Sequence, residues 1–375
     1  MILILAFRNL FHDRIRLVVT LIGILFSIVL VAVQLGLYLG ARKMIVGMID
    51  HANAELWITA YGTKSFEEAG TLSGRERHIA LAVPGVASVA PLVASFASWL
   101  KPQGGTTLAV IVGTDPADGG LAPWNVVAGD VASIAEPDAV AVDRSYLDNL
   151  GLKGIGDIAQ IETSRVRVAA LTEGIRSFTT APYVFMPIGR ARNILQLAQE
   201  QSTFLLVKLA DGADVETVRR DLAKRLPVAE ILTREEFRQR SLDHWLFGTG
   251  AGVALIGGAL LGILVGTVIV AQTLYASTKD HLGEFATLRA LGSSAGYIHS
   301  VILVQAALSA ALGYGLGMSI ALVIIQLSEK SPLPIVMTPM LAAGLLLLTI
   351  AMCAISAFAA IMKVTRIDPA MVFAK

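Results

Sequence analysis

Four long apolar runs punctuate the chain: Leu17–Gly40, Leu246–Leu274, Val301–Leu327 and Pro339–Met362. Each is long enough to cross a bilayer as a helix, which takes about 20 apolar residues. Ahead of the first run, Leu3, Phe7, Leu10, Phe11 and Ile15 alternate with Arg8, Asn9, His12, Asp13 and Arg14. That spacing predicts an amphipathic helix over residues 1–16, lying in the membrane interface. Basic residues before an apolar run also suit a secretory signal. The run is longer than a signal core, however, and no A-x-A site follows it. Residues 17–41 are therefore read as an uncleaved first span.

Residues 42–243 differ in kind. They form a mixed-polarity stretch of about 200 residues, long enough for a core of its own and for two subdomains. Short β-branched runs read as strands: Leu108–Val112, Val140–Val142, Val166–Leu171, Val184–Met186 and Leu205–Leu209. Turn signals separate them, among them Pro84-Gly85, Gly104-Gly105, Asp118-Gly119-Gly120 and Asp211-Gly212. Asp214 can cap a helix whose apolar face is Val215, Val218, Leu222 and Leu226. The expectation is a membrane α-helical protein with four transmembrane helices and an inserted extracytoplasmic α+β domain. Its further spans cover 244–278, 298–327 and 339–362, with a short loop at 328–338 and a tail at 363–375.

Between the second and third spans lies a polar stretch, residues 279–297, too short for a domain. Leu282, Phe285, Leu288 and Leu291 recur every three residues, with Glu284 and Arg289 among them, and Gly292-Ser293-Ser294 supplies a stop. This predicts a short amphipathic helix on one membrane face. The second span carries Ala254, Gly258, Gly262 and Gly266 at four-residue spacing, and the third carries Ala307, Ala311, Gly315 and Ser319. Such stripes let helix backbones approach closely, so both are read as helix-packing faces.

Composition agrees with the pattern. Of 375 residues, 55% are hydrophobic and 16% charged, and the mean hydropathy is +0.67, which excludes an ordinary soluble enzyme. A net charge of +1 gives no reason to expect nucleic acid. Cys353 is the only cysteine, so disulfides and thiolate metal sites within one chain are excluded. Arg8, Arg14, Arg16, Lys279, Arg289, Lys363, Arg366 and Lys375 lie on one side of the spans, against Lys330 alone in the short loop. The positive-inside rule then puts both termini and the 279–297 stretch in the cytoplasm. Arg42, Lys43, Arg238 and Arg240, on the other side, pull weakly against this orientation.

Several motifs fall short of chemistry. Gly292-Ser293-Ser294-Ala295-Gly296 fits G-x-S-x-G, but a helix rather than a strand precedes it. Gly313-Tyr314-Gly315-Leu316-Gly317 sits inside an apolar run, where glycine serves packing. Gly151-Leu152-Lys153-Gly154-Ile155-Gly156 reads as a turn. His12, His51, His78, His244, His281 and His299 include no pair at ligand spacing, so no metal is expected. No G-x-x-x-x-G-K-[ST] occurs, so no cofactor is expected and ATP would be bound elsewhere. The spans hold Gln34 and Gln305 but no Asp or Glu at mid-depth, which argues against an ion-coupled transporter.

The stretch Val268–Gly292, VIVAQTLYASTKDHLGEFATLRALG, resembles the corresponding segment of DevC-like permeases in the MacB/FtsX/LolC superfamily of ABC transporters. The likeness covers essentially the whole chain and is strongest from Leu232 to Gly292; the ending IDPAMVF, starting at Ile367, resembles the family's cytosolic tail. The resemblance implies a non-catalytic permease of the bacterial inner membrane, acting as a homodimer. It makes 279–297 a coupling helix that docks on a separate cytosolic ABC ATPase through Glu284, Phe285, Leu288, Arg289, Leu291 and Gly292. It also implies a periplasmic domain at 42–243, with a periplasmic membrane-fusion adaptor and an outer-membrane channel as partners beside membrane lipid. Two functions are compatible with it: export of a lipid-like or other amphiphilic substrate, or FtsX-like mechanotransmission that activates a periplasmic partner. A sensor-kinase type of receptor fits poorly, since no cytosolic output domain is visible.

Overall fold

A computed structural model describes all residues except Met1, Leu282, Phe285, Ala286, 288–290, Glu329, Lys330, Pro332 and 366–375. In chain order the α-helices are α1 (Ile2–His12), α2 (Arg14–His51), α3 (Arg75–Leu81), α4 (Leu147–Leu150), α5 (Ile188–Ile194), α6 (Val215–Arg225), α7 (Arg234–Leu242), α8 (Ala251–Asp280), α9 (Ala295–Ser328) and α10 (Pro339–Thr365). The strands are β1 (Leu56–Ala60), β2 (Val86–Leu100), β3 (Thr106–Thr114), β4 (Val126–Gly129), β5 (Ala139–Asp143), β6 (Ile158–Ile161), β7 (Ser164–Thr172), β8 (Tyr183–Pro187), β9 (Phe204–Leu209) and β10 (Ala229–Thr233). The chain divides into a span unit, Met1–Gly40 with Val253–Glu329 and Pro334–Lys375, and an inserted unit, Ala41–Gly252 with Lys330–Leu333.

In the span unit, α2, α8, α9 and α10 contain the four stretches long and apolar enough to cross a membrane. The amphipathic stretch ends at Asp13, which accepts a hydrogen bond from the Arg16 backbone N–H at 3.2 Å and so starts α2. Ala6 of α1 packs with Ile298 and Val301 of α9, Ile24 of α2 and Ala357 of α10. Large apolar side chains on the other faces, Leu260, Leu264 and Leu347 among them, stay exposed. That is the arrangement expected where lipid is the solvent.

Helix α2 continues to His51, beyond the end expected at 41. Met48 and Ile49 explain the continuation, since both are buried with Trp57 and Phe237 in the inserted unit's core. The second span differs in the opposite sense. Residues 243–248 form a π-helical turn, Gly250 takes a φ of +80°, and α8 begins at Ala251 rather than at 244.

The inserted unit is one ten-stranded sheet ordered β10-β1-β9-β2-β3-β8-β5-β7-β4, with β6 pairing β2 and β7. The long strand β2 serves both halves. Val86–Leu92 pairs with β9, and Val93–Leu100 pairs with β3. The first half packs Val83, Leu205, Val207 and Leu222 under α3 and α6. The second packs Trp99, Val140, Tyr146 and Val184 under α4 and α5. As expected, Asp214 caps α6, accepting from the Thr217 backbone N–H at 2.9 Å. Val218, Leu222 and Leu226 of the expected apolar face are buried, whereas Val215 is partly exposed.

Candidate coupling segment and helix-packing sites

Helix α8 ends at Asp280, where an ion pair holds it to the start of α2. The Arg16 guanidinium reaches Asp280 at 2.5 Å and Asp13 at 3.4 Å, and the Arg16 carbonyl accepts from the Thr20 hydroxyl. In the same unit α1 packs along α9. The amphipathic helix and the start of the 279–297 stretch therefore lie at one end of the span unit.

Beyond Asp280, His281 is buried and its Nδ1 lies 3.2 Å from the exposed Glu284 carboxylate. Leu291 is 79% exposed, a large apolar side chain presented to its surroundings. Gly292 follows with a φ of +95°, a conformation that favours glycine and turns the chain. Ser294 accepts a hydrogen bond from the Tyr297 backbone N–H and starts α9 as its cap. This is the role of the serine at the centre of the G-x-S-x-G match. Phe285, Leu288 and Arg289, like Leu282, lie outside the described residues, as do Arg366, Asp368 and Pro369 of the tail.

The glycine stripe of α8 meets α2. A Cβ at Gly266 would stand 2.4 Å from the Ser27 Cβ, one at Gly262 3.1 Å from Leu30, and one at Gly258 2.6 Å from the Gln34 amide. The Ser27 hydroxyl donates to the Gly262 carbonyl at 2.9 Å, so close approach is joined to an interhelical hydrogen bond. Ala254, at the end of the stripe, is exposed.

The third-span stripe is placed differently. Ala307, Ala311 and Gly315 are exposed, and nothing lies within 4 Å of a Cβ built on Gly315. Among the described residues none packs on Gly315, and Ala307 and Ala311 line an open groove with Leu346 and Ile350 of α10. Gly313 and Gly317 form a packing face, since a Cβ on them would meet Ile24 at 2.5 Å and Ile28 at 3.0 Å. Both sets have four-residue spacing, so spacing alone cannot choose between them. What decides is where the branched side chains of α2 project. Gln34, one of the two polar residues noted in the spans, stands against Gly258; Gln305 is buried and lines a cavity of about 20 Å³ with Asn9, Thr20, Thr273 and Ser277. Nothing in the local pattern of α1 singled out Asn9.

Two family models match the chain: the MacB-like periplasmic core domain over residues 17–225 and the FtsX-like permease C-terminal model over residues 256–369. No curated protein matches it. Among solved structures, the periplasmic region of MacB from Actinobacillus actinomycetemcomitans is similar over 51% of this chain and 94% of its own length, at 13% identity and a TM-score of 0.38. The extracellular domain of the noncanonic ABC-type transporter YknZ from Gram-positive bacteria is similar over 48% and 99%, at 11% identity and a TM-score of 0.36. Matched over more than half its length by the first model and over its last third by the second, the chain belongs to the MacB/FtsX family of ABC-transporter permeases.

Proposed function

We propose that this multi-pass permease relays ATP-driven movement from a separate cytosolic ATPase to its inserted unit, and so exports a lipid-like or other amphiphilic substrate. The family itself implies an ABC ATPase partner and a dimer. The finer reading puts the chain in the bacterial inner membrane with both termini and residues 279–297 in the cytoplasm. ATP is bound by the partner, and a periplasmic adaptor and outer-membrane channel complete the path. One observation carries the reading. The Arg16–Asp280 pair anchors the foot of α8 immediately before a segment that exposes Leu291 and Glu284. An apolar anchor with a polar rim is the usual make-up of a protein contact.

The test is Leu291→Asp. A charge buried unpaired in a protein contact costs several kcal/mol. The variant should insert normally yet lose association with the ATPase, or lose its stimulation of ATP hydrolysis. Glu284→Ala should act in the same direction and more weakly. Normal coupling in Leu291→Asp would remove the segment from this role. Substrate movement in reconstituted vesicles then separates export from force transmission alone: coupled ATP hydrolysis without cargo movement favours the second.

A further inference from the structure

Two amides are buried in the span unit without visible support. Asn9 of α1 is 7% exposed and Gln305 of α9 is 3% exposed. Asn9 Nδ2 and Gln305 Nε2 each lack a hydrogen-bond partner among the described residues. Gln305 stands about 15 Å along α9 from Ala295, well inside the apolar run. A buried amide with no partner is costly, and lipid offers it none. Both amides line one small cavity, together with Thr20 of α2 and Thr273 of α8. Four helices thus bring polar side chains to a single spot.

The lining is complementary to one kind of guest. The Thr20 hydroxyl donates to the Arg16 carbonyl at 2.9 Å, and the Thr273 hydroxyl donates to the Ile269 carbonyl at 2.9 Å. With their protons committed to their own helices, both oxygens keep only lone pairs to offer. The wall therefore presents two amide donors and two hydroxyl acceptors. A water molecule accepts two hydrogen bonds and donates two, so it can serve all four. Turning either amide over would exchange a donor for an acceptor, and water serves both.

Size agrees with chemistry. The cavity measures about 20 Å³, and one water needs about 10–15 Å³. That leaves no room for an organic molecule. Monatomic ions fail on chemistry instead. A bare cation would meet amide N–H groups, and a halide would meet oxygen lone pairs. The charged residues of the lining do not alter this balance. Asp13 and Arg16 are paired with each other at 3.4 Å, and Arg16 also with Asp280 at 2.5 Å.

We propose that this cavity is a hydration site. One ordered water, held by Asn9, Thr20, Thr273 and Gln305, ties the amphipathic helix α1 to α2, α8 and α9. Bridging water of this kind is nearly as favourable as a direct hydrogen bond. It gives Asn9 a reason to be buried on α1, where Arg8 and His12 stay exposed. The site stands independently of the function proposed above.

The full chain in lipid nanodiscs carries the test, through Asn9→Leu, Gln305→Met and the double variant. Each replacement is close in volume to the amide it removes. The two possible states of the amides predict opposite signs. An amide with no partner costs stability, so an apolar replacement would raise the melting temperature followed by helical circular dichroism. An amide bonded to water contributes stability, and its loss leaves that water a bond short. Each single variant should therefore melt about 2–4 °C lower. The double variant should lose less than the sum of the two, because both substitutions remove the same water. A rise in either single variant would overturn the proposal, and so would strict additivity. Magic-angle-spinning NMR of the parent in bilayers reads the water directly. Polarisation should pass from water to the Gln305 side-chain amide, a signal assigned by its absence in Gln305→Met or its shift in Gln305→Asn. No transfer would leave the cavity dry and the proposal wrong. Exchanging chloride for gluconate should leave the parent's melting temperature unchanged. A chloride-dependent rise that disappears in Gln305→Met would mean that a halide holds the site, and would equally overturn the assignment of water.

Discussion

The two units of this chain are held together by opposite means. The inserted unit buries its largest side chains completely: Trp57, Trp99, Phe66, Phe204 and Phe237 have essentially no exposed surface. Trp57 stands edge-on to Phe204 with ring centroids 5.5 Å apart, and Phe66 stacks on Phe204 at 5.3 Å. In the span unit close contacts are made where side chains are missing, among them at Gly23, Gly40, Gly258, Gly262, Gly266, Gly313 and Gly317. Water drives apolar bulk into a core, whereas lipid tails are as apolar as leucine and give no such drive. Close backbone approach and interhelical hydrogen bonds such as Ser27 to Gly262 then do the holding. The inserted unit should therefore be sensitive to atoms removed, and the span unit to atoms added.

The largest effect is expected for Trp57→Ala. Emptying that aromatic cluster should destabilise the inserted unit by about 3–5 kcal/mol. Proteolysis of the full chain should then cut within residues 52–242 while the span unit still inserts. Next comes Gly266→Ile, which would drive a branched side chain into Ser27 and Met352. Overpacking of this kind costs about 1–3 kcal/mol, read as a lower melting temperature in detergent with the inserted unit's protease resistance unchanged. The smallest effect sharpens the comparison. Gly315→Ile adds the same atoms where no described residue lies within 4 Å of the new Cβ, so monomer stability should move by less than about 0.5 kcal/mol. If it instead weakens the dimer, measured by cross-linking, that face meets the second copy. A loss of monomer stability as large as that of Gly266→Ile would break the distinction drawn here between the two glycine faces.

Much of this architecture is legible in the residues, because crossing a bilayer demands runs that nothing else in the chain imitates. The strands legible in the sequence are those rich in β-branched residues, such as Val140–Val142 and Val184–Met186. Strand β2 is hard to read for the same reason in reverse. VASVAPLVASFASWL is built from alanine and serine around Pro91, and its pairing is imposed by β9 and β3 on either half. The extension of α2 past Gly40 is hidden by Arg42 and Lys43, which look like the end of a span, although Met44, Ile45, Met48 and Ile49 keep helical spacing beyond them. In α9 the stripe was legible but its facing was not, because Ile24 and Ile28 lie nearly 300 residues away. Within 279–297, Leu291, Glu284 and Gly292 can be placed; the remaining anchors stand on spacing and resemblance alone.

Strand β2 has a practical consequence for anyone wishing to take the protein apart. Because one strand is the seam of both half-sheets, neither half can be excised as a fragment without leaving the other an unpaired edge, and unpaired edges invite aggregation. The whole insertion is the smallest sensible piece, and its far border lies beyond residue 243, where the hydropathy puts it. A fragment starting at residue 52 would discard Met48 and Ile49 from the core, and one ending at Leu242 would lose Trp245. A soluble version that keeps the native fold has to carry the last turns of α2 at one end and the π-turn at the other.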